Sequence, residues 1–337
     1  MPKFKFNLLP KIAIDLGTSR TRIWVEGLGK VKDEASCLVV RQKDNKVLAV
    51  GDQALAYEKR FHQVIWPVRD GFVTDKQQVQ ALLKVMLADY WRPRLITQPI
   101  IAVSIPAMGS SLQKQTLSES LFEIGAREVV TVSQPLAAMF GVGVLANDPS
   151  GSLNLHLGAG VVEAALVSMG SVVQFASSNL AGEWLSWQLL AFLKKQFNLI
   201  LSEQELQKVL TQLISVSSGI DQTMKLAGKN ASTGQPISQT LTATQLLPLV
   251  KNYVSRYVDL VKQLLAKVSP ELMDDSFGKG LLLTGGLAKL NGLERYLSLN
   301  LNMPVAMMEK PEDAVIEGLA HVLKHLEEFK NQAENQD

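Results

Sequence analysis

The chain has 337 residues, 47% of them apolar and 20% charged, with a net charge of +2 and one cysteine, Cys37. One or two domains with an ample core are expected. A disulfide framework within the chain is excluded, the lone thiol fits a reducing compartment, and the near-neutral balance offers no argument for a nucleic-acid partner. Apolar runs such as 136–146 fall short of a membrane span and are of the kind that pack inside a fold.

In chain order, MPKFKFNLLPKIAI mixes lysines with apolar residues and has no small-residue cleavage site, so it does not read as a signal peptide. Residues 1–9 fit either a frayed end that covers nearby surface or a short membrane-surface anchor with lysines on anionic headgroups. Next, Ile12-Ala13-Ile14 and Thr21–Val25 read as two strands around Asp15 and the small-residue turn Gly17-Thr18-Ser19-Arg20. A strand ending in Asp-x-Gly-Thr and folding straight back is one way to hold a polyphosphate. The glycine admits close backbone approach, N–H groups and hydroxyls bond oxygens, and the Asp holds a metal through its water. An ordinary tight hairpin has the same local signature.

Residues 31–75 read as a small β-containing insert, with Cys37–Val40 and Val47–Val50 flanking a polar turn. Pro67–Gly71 forms a turn before a helix over 76–90, whose apolar residues recur at helical spacing. Tyr90-Trp91, beside Arg92 and Arg94, fits either a loop dipping into a membrane interface or buried capping of the helix end. A strand at 100–106, a helix at 110–124, a strand at 128–132 and a helix from Gln134-Pro135 to about Leu145 follow. Gly141-Val142-Gly143 is no dinucleotide loop, because it follows a helix and not a strand. Loop composition near 147–151 marks the domain crossing.

The stretch Leu153–Ser168 then repeats the first hairpin as strand, Gly158-Ala159-Gly160, strand, with Gly158 aligned to Gly17 at an offset of 141 residues. Such a repeat implies two related domains, each with a phosphate hairpin. His156 stands where the first copy has Asp15. A strand at 172–176, a helix from Gly182-Glu183 to Phe197 and a second helix over 202–215, with Ser202 and Glu205 as its capping box, come next. Residues 217–240 are polar and contain glycine. A long helix covers 242–268, with Pro248 as a potential kink. Gly280–Gly286 is a buried strand ending in a glycine-rich turn, and 311–329 is the last helix. His321 and His325, one helical turn apart, fit a solvated helix end better than a metal site, since no other ligand flanks them.

Taken together, these motifs resemble the actin, sugar kinase and heat-shock ATPase superfamily, and within it the MreB family of bacterial actins, from about Lys11 to Leu323. The resemblance rests on Asp15-Leu16-Gly17-Thr18, Arg69-Asp70-Gly71, Gly125–Val129 followed by Pro135-x-Ala137-Ala138, Ser232-Thr233-Gly234-x-Pro236, and Leu283-Thr284-Gly285-Gly286. It implies an α/β, actin-like (duplicated ribonuclease H-like) fold with two lobes around a nucleotide cleft. The implied subdomains are IA (1–31, 73–147 and 312–330), IB (32–72), IIA (148–180 and 242–311) and IIB (181–241). Nucleotide contacts are implied for Asp15, Gly17, Thr18, Ser19, Arg20, Gly158, Ala159, Gly160, Gly182, Glu183, Gly285 and Gly286. The implied cofactor is ATP or ADP with Mg2+, held by Asp15 through water, and the catalytic positions are Asp15 and Gln134.

Several positions depart from the family pattern. Gln134 stands at the family's catalytic glutamate, and an amide orients water but cannot take its proton. His156 replaces the Asp of the second phosphate motif, and Val161-Val162 replace its threonines. Gln207–Leu210 lacks the acid and lysine of the ribose-contacting stretch, and Arg20 replaces an Asn as an added phosphate contact. The expectation is a cell-shape protein that forms filaments at the inner face of the membrane and binds nucleotide with impaired or absent hydrolysis. Its partners would be itself or an orthodox MreB, cell-shape or cell-wall synthesis membrane proteins, and the membrane surface through residues 1–9 or the Tyr90-Trp91 loop. The alternatives are an active ATP-hydrolysing filament protein and a non-polymerising adaptor of the FtsA and PilM kind.

Overall fold

Arg20–Val25 alternates half-buried and buried residues, whereas Lys11–Leu16 is buried on both faces beyond Lys11, and the hairpin they form lies inside the first sheet. The computed structural model describes residues 10–57, 62–91, 98–217, 219 and 222–334. It divides into one unit of Met1–Pro149, Val167–Val173 and Asp313–Asp337, and a second of Ser150–Leu166 and Gln174–Glu312.

The first unit is built on a five-stranded sheet in the order 128–133, 100–105, 11–16, 20–25, 29–35. The first three of these strands run parallel and the last two are hairpin neighbours. Ile12, Ile14, Ile23, Ile101 and Val103 are buried with Leu82, Leu83, Met86 and Leu121 from the helices Lys76–Leu87 and Ser111–Glu123. Each such side chain contributes about 1.5–3 kcal/mol by leaving water. Two helices, Gln134–Gly141 and Ala314–Lys324, touch backbone to backbone. A Cβ on Gly318 would lie 1.7 Å from the Ala137 carbonyl oxygen, and one on Gly141 would lie 1.9 Å from that of Ala314. A three-stranded sheet of 47–50, 38–41 and 62–65 forms the insert around buried Cys37 and Val39.

The second unit repeats the layout, with strands in the order 171–178, 162–168, 152–157, 281–284, 305–307. As in the first sheet, the strand before the glycine turn pairs in parallel with a strand from much later in the chain, His156 facing Thr284. The helix Ala243–Leu265 buries Leu246, Val250, Tyr253, Val254, Tyr257 and Val261 along one stripe. A capping box fixes its start. Thr242 Oγ accepts the Gln245 N–H (3.2 Å), and the Gln245 side chain accepts the Thr242 N–H (2.9 Å).

Some elements differ from the sequence reading. The polar segment 217–240 contains a hairpin, Thr223–Asn230 with Pro236–Thr242, turning at Ser232-Thr233-Gly234. Its buried apolar residues are few, chiefly Leu226 and Leu241, so it carries no amphipathic signal. The helix expected over 202–215 is α-helical only at Glu203–Lys208, and Val209–Leu213 widens to a π-turn. Ser202 does cap Glu205, but the Glu205 carboxylate turns to Lys208 and the Ala227 N–H, so no box closes. The helix from Gln134 stops at Gly141, ahead of Gly143 at φ 89°. The last helix breaks at His325.

Tyr90 and Trp91 cap the helix end. Trp91 is 6% exposed in the core, and the Tyr90 hydroxyl donates to the Val31 carbonyl (3.4 Å). Trp91 is thus buried and Tyr90 half-buried, and residues 1–9 and 92–97 lie outside the described residues. Among the described residues, no helix is long and apolar enough to cross a membrane.

Candidate nucleotide site

Each unit carries a glycine turn, and the two turns have the same geometry. The Gly17 N–H donates to the Arg20 carbonyl at 3.1 Å, and the Gly158 N–H donates to the Val161 carbonyl at 3.0 Å. A Cβ on either glycine would lie 2.7 Å from the carbonyl it closes on. Both glycines are therefore required by close approach. They shape the turn and do not themselves offer N–H groups to a ligand. The next N–H groups, of Thr18 and Ser19 and of Ala159 and Gly160, carry no backbone hydrogen bond among the described residues. They are the donors a phosphate oxygen would meet.

In the first unit, Asp15, Ser104 and Gln134 sit at or just beyond the carboxyl ends of three neighbouring parallel strands, where open α/β sheets bind ligands. Asp15 is 6% exposed. Its Oδ1 accepts from Ser104 Oγ (2.8 Å), and its Oδ2 faces the Arg22 guanidinium (3.4 Å). Burial pushes the Asp15 carboxyl above the ordinary carboxylate range, and Arg22 and Ser104 pull it back only in part. Gln134 is buried at the first position of its helix, followed by Pro135. Thr18 Oγ accepts the Gly71 N–H (2.8 Å). Asp70 and Gly71, at φ 50° and 79°, turn the short hairpin of Val68–Arg69 with Phe72–Val73. That bond fastens the Arg69-Asp70-Gly71 turn to the Gly17 turn.

Ser19 is exposed and its carbonyl accepts the Ser36 N–H (2.9 Å). The Arg20 guanidinium is bound to Asp33 (2.6 Å to Oδ1), to the Asp33 carbonyl and to Asp52 (3.2 and 3.3 Å), so a phosphate would compete with two carboxylates.

In the second unit, the helix Gly182–Phe197 starts on the glycine turn. The Gly182 and Glu183 N–H groups donate to the Gly158 (3.2 Å) and Ala159 (2.8 Å) carbonyls. These two N–H groups thus brace the turn. Gly285, at φ 85°, packs on the adjacent strand, and a Cβ there would lie 2.4 Å from the Leu157 carbonyl oxygen. Gly286 faces open space, with nothing within 4 Å of its Cβ position. His156 points across to Thr284, with Nδ1 3.1 Å from Oγ, and Asn154 Nδ2 donates to the same hydroxyl (3.1 Å). Val161 and Val162 are buried. Lys208 pairs with Glu205.

These residues suit a polyphosphate but make a poor magnesium site. Magnesium prefers several oxygen ligands; the first turn supplies one carboxylate, already beside a guanidinium, and the second supplies an imidazole and no carboxylate. Among the described residues, no three His, Cys, Asp or Glu side chains gather as a metal-holding group. Sequence reasoning missed Arg22, although the hairpin register that sets Leu16 against Thr21 already sets Asp15 against Arg22. It also missed Thr284, which no local motif ties to His156.

The MreB/Mbl protein family model matches residues 9–331. The cell shape-determining protein Mbl of Bacillus subtilis is 28% identical over 322 residues, covering 94% of this chain and 97% of that protein. The cell shape-determining protein MreB of Escherichia coli K12 is 28% identical over 340 residues, covering 97% of each. Among solved structures, MreB5 of Spiroplasma citri bound to AMPPNP superposes with a TM-score of 0.90 at 24% identity, covering 98% of this chain and 100% of that one. The MamK double helical filament gives 0.78 at 17% identity, covering 94% and 98%. The fold is thus actin-like, and the chain belongs to the MreB/Mbl family.

Proposed function

We propose that this protein is a cell-shape cytoskeletal element that assembles into filaments and binds ATP or ADP, with hydrolysis slow or absent. Cell-shape relatives, a nucleotide-bound neighbour and a filamentous neighbour support the reading. Head-to-tail contacts that do not close give open polymers, with itself or with an orthodox relative. Recruitment to the inner membrane face, through residues 1–9 or membrane proteins of cell-wall synthesis, belongs to the same proposal.

One observation carries it. The two turns share one backbone geometry, while Gln134, His156, Val161 and Val162 stand where the family resemblance would put the side chains that position water and metal. A phosphate cradle needs only the backbone. Phosphoryl transfer needs those positioning side chains, and losing several such groups costs orders of magnitude in rate.

Calorimetry of the pure protein with ATP and ADP, paired with a phosphate-release assay, tests this reading. The expected outcome is binding with turnover at least about a hundred-fold below that of an active relative. Comparable turnover, falling in Gln134→Ala, would establish the active-ATPase alternative instead. Pelleting with and without lipid vesicles separates a filament from a non-polymerising adaptor.

A further inference from the structure

We propose that Arg22 takes the electrostatic place of a divalent cation beside Asp15, so that the site binds a nucleoside di- or triphosphate without metal. The inference rests on the reading of the two turns as a nucleotide site.

Three strands set the charges in a row. Asp15 faces Arg22 across the first hairpin, and Arg22 faces Asp33 across the next strand pair. The guanidinium lies 3.4 Å from Asp15, 3.2 Å from Asp33 and 3.5 Å from Asp313. Its side chain is 13% exposed. Asp313 is itself held by Lys30 at 2.6 Å, and Asp33 by Arg20. Arg22 is therefore fixed in position by protein contacts alone, with no ligand needed to order it.

A guanidinium cannot give up its proton, so the positive charge beside Asp15 is permanent. In a metal-dependent phosphate site, the cation keeps carboxylate and phosphate from repelling one another. Here that neutralisation is covalently tethered. A divalent ion approaching Asp15 would meet a like charge already in place. The other Asp15 oxygen is engaged by Ser104.

The test is calorimetry of the full chain with ATP, in excess Mg2+ and again in EDTA. The expected result is affinities that agree within about five-fold. A larger loss in EDTA overturns the inference and leaves the nucleotide reading standing. No binding under either condition removes both. Arg22→Leu is expected to lower affinity in EDTA by at least about ten-fold, with Mg2+ restoring it. Unchanged binding of this variant in EDTA overturns the role of Arg22. Because Arg22→Leu leaves a buried carboxylate facing an apolar side chain, the Asp15→Asn/Arg22→Leu double variant, checked for folding by circular dichroism, removes both charges. It should bind in EDTA at least about five-fold more tightly than Arg22→Leu alone, because the unpaired carboxylate is gone, and no recovery relative to Arg22→Leu overturns the role.

Discussion

Asp15 and Asp33 lie on either side of Arg22, which lowers both carboxyls, yet their net shifts have opposite signs. For Asp33, burial acts to raise the carboxyl, but the hydrogen bond from Arg20 and the charges of Arg22, Arg20 and Lys30 outweigh it and hold the group below its ordinary 3.8. For Asp15, burial wins and the group lies above 3.8. The consequences for stability have opposite signs. Asp33 contributes stability that is fully present above pH 3.8 and is lost as pH falls below it through the lowered value. Ionised Asp15 detracts from stability, and its penalty grows as pH rises from 3.8 through the raised value. Urea midpoints measured against pH should therefore show Asp33→Asn flattening the acid limb of the curve. Wild type should lose stability relative to Asp15→Asn as pH rises above the ordinary carboxylate range. The Asp33 effect should weaken in high salt, because that group is partly exposed and screened.

Among the elements, the helix pair Gln134–Gly141 and Ala314–Lys324 shows what a sequence pattern leaves out. Gly141 and Gly318 look like weak helix residues, yet each is where the other helix's backbone passes. Gly318→Ala should lower unfolding free energy by about 3 kcal/mol or more, because the clash is with backbone and cannot be relieved by a rotamer. Gly278→Ala, in the helix Pro270–Lys279 with nothing within 4 Å of its Cβ position, should instead stabilise by about 0.5–1 kcal/mol. Denaturant melts of the two variants compare them directly. The same elements show how legibility varies. Lys76–Leu87 and Gly182–Phe197 were readable because one apolar stripe recurs at helical spacing. The hairpin 223–242 was not, because a mostly solvated ribbon has no period to read.

At the scale of the whole molecule, the chain builds the same sheet twice, each time with a glycine turn between its first two strands. Because Gly17 and Gly158 meet their carbonyls at the same distance, Gly17→Ala and Gly158→Ala should destabilise by similar amounts, about 1–3 kcal/mol. Each should also weaken nucleotide binding, since the donors that follow would be displaced. A thermal-shift titration with ADP reads both effects, and loss of binding from only one turn would mean that the halves are not equivalent in holding phosphate.

The sequence by itself determined the two hairpins, their repeat at a fixed offset and most of the helices. All of these are properties of residue type and local order. Only the tertiary structure decided that Gly17 and Gly158 close the turns and leave donation to the residues after them, that Arg20 is held by Asp33 and Asp52, and that Trp91 is a core residue. It also brought Arg22, Asp33 and Asp313 to one place, drawing Asp313 from about 290 positions further along the chain. Hydrogen-bond partners and burial depend on which strands become neighbours, and that pairing follows from closing the sheet and filling the core, which no local pattern of residues encodes.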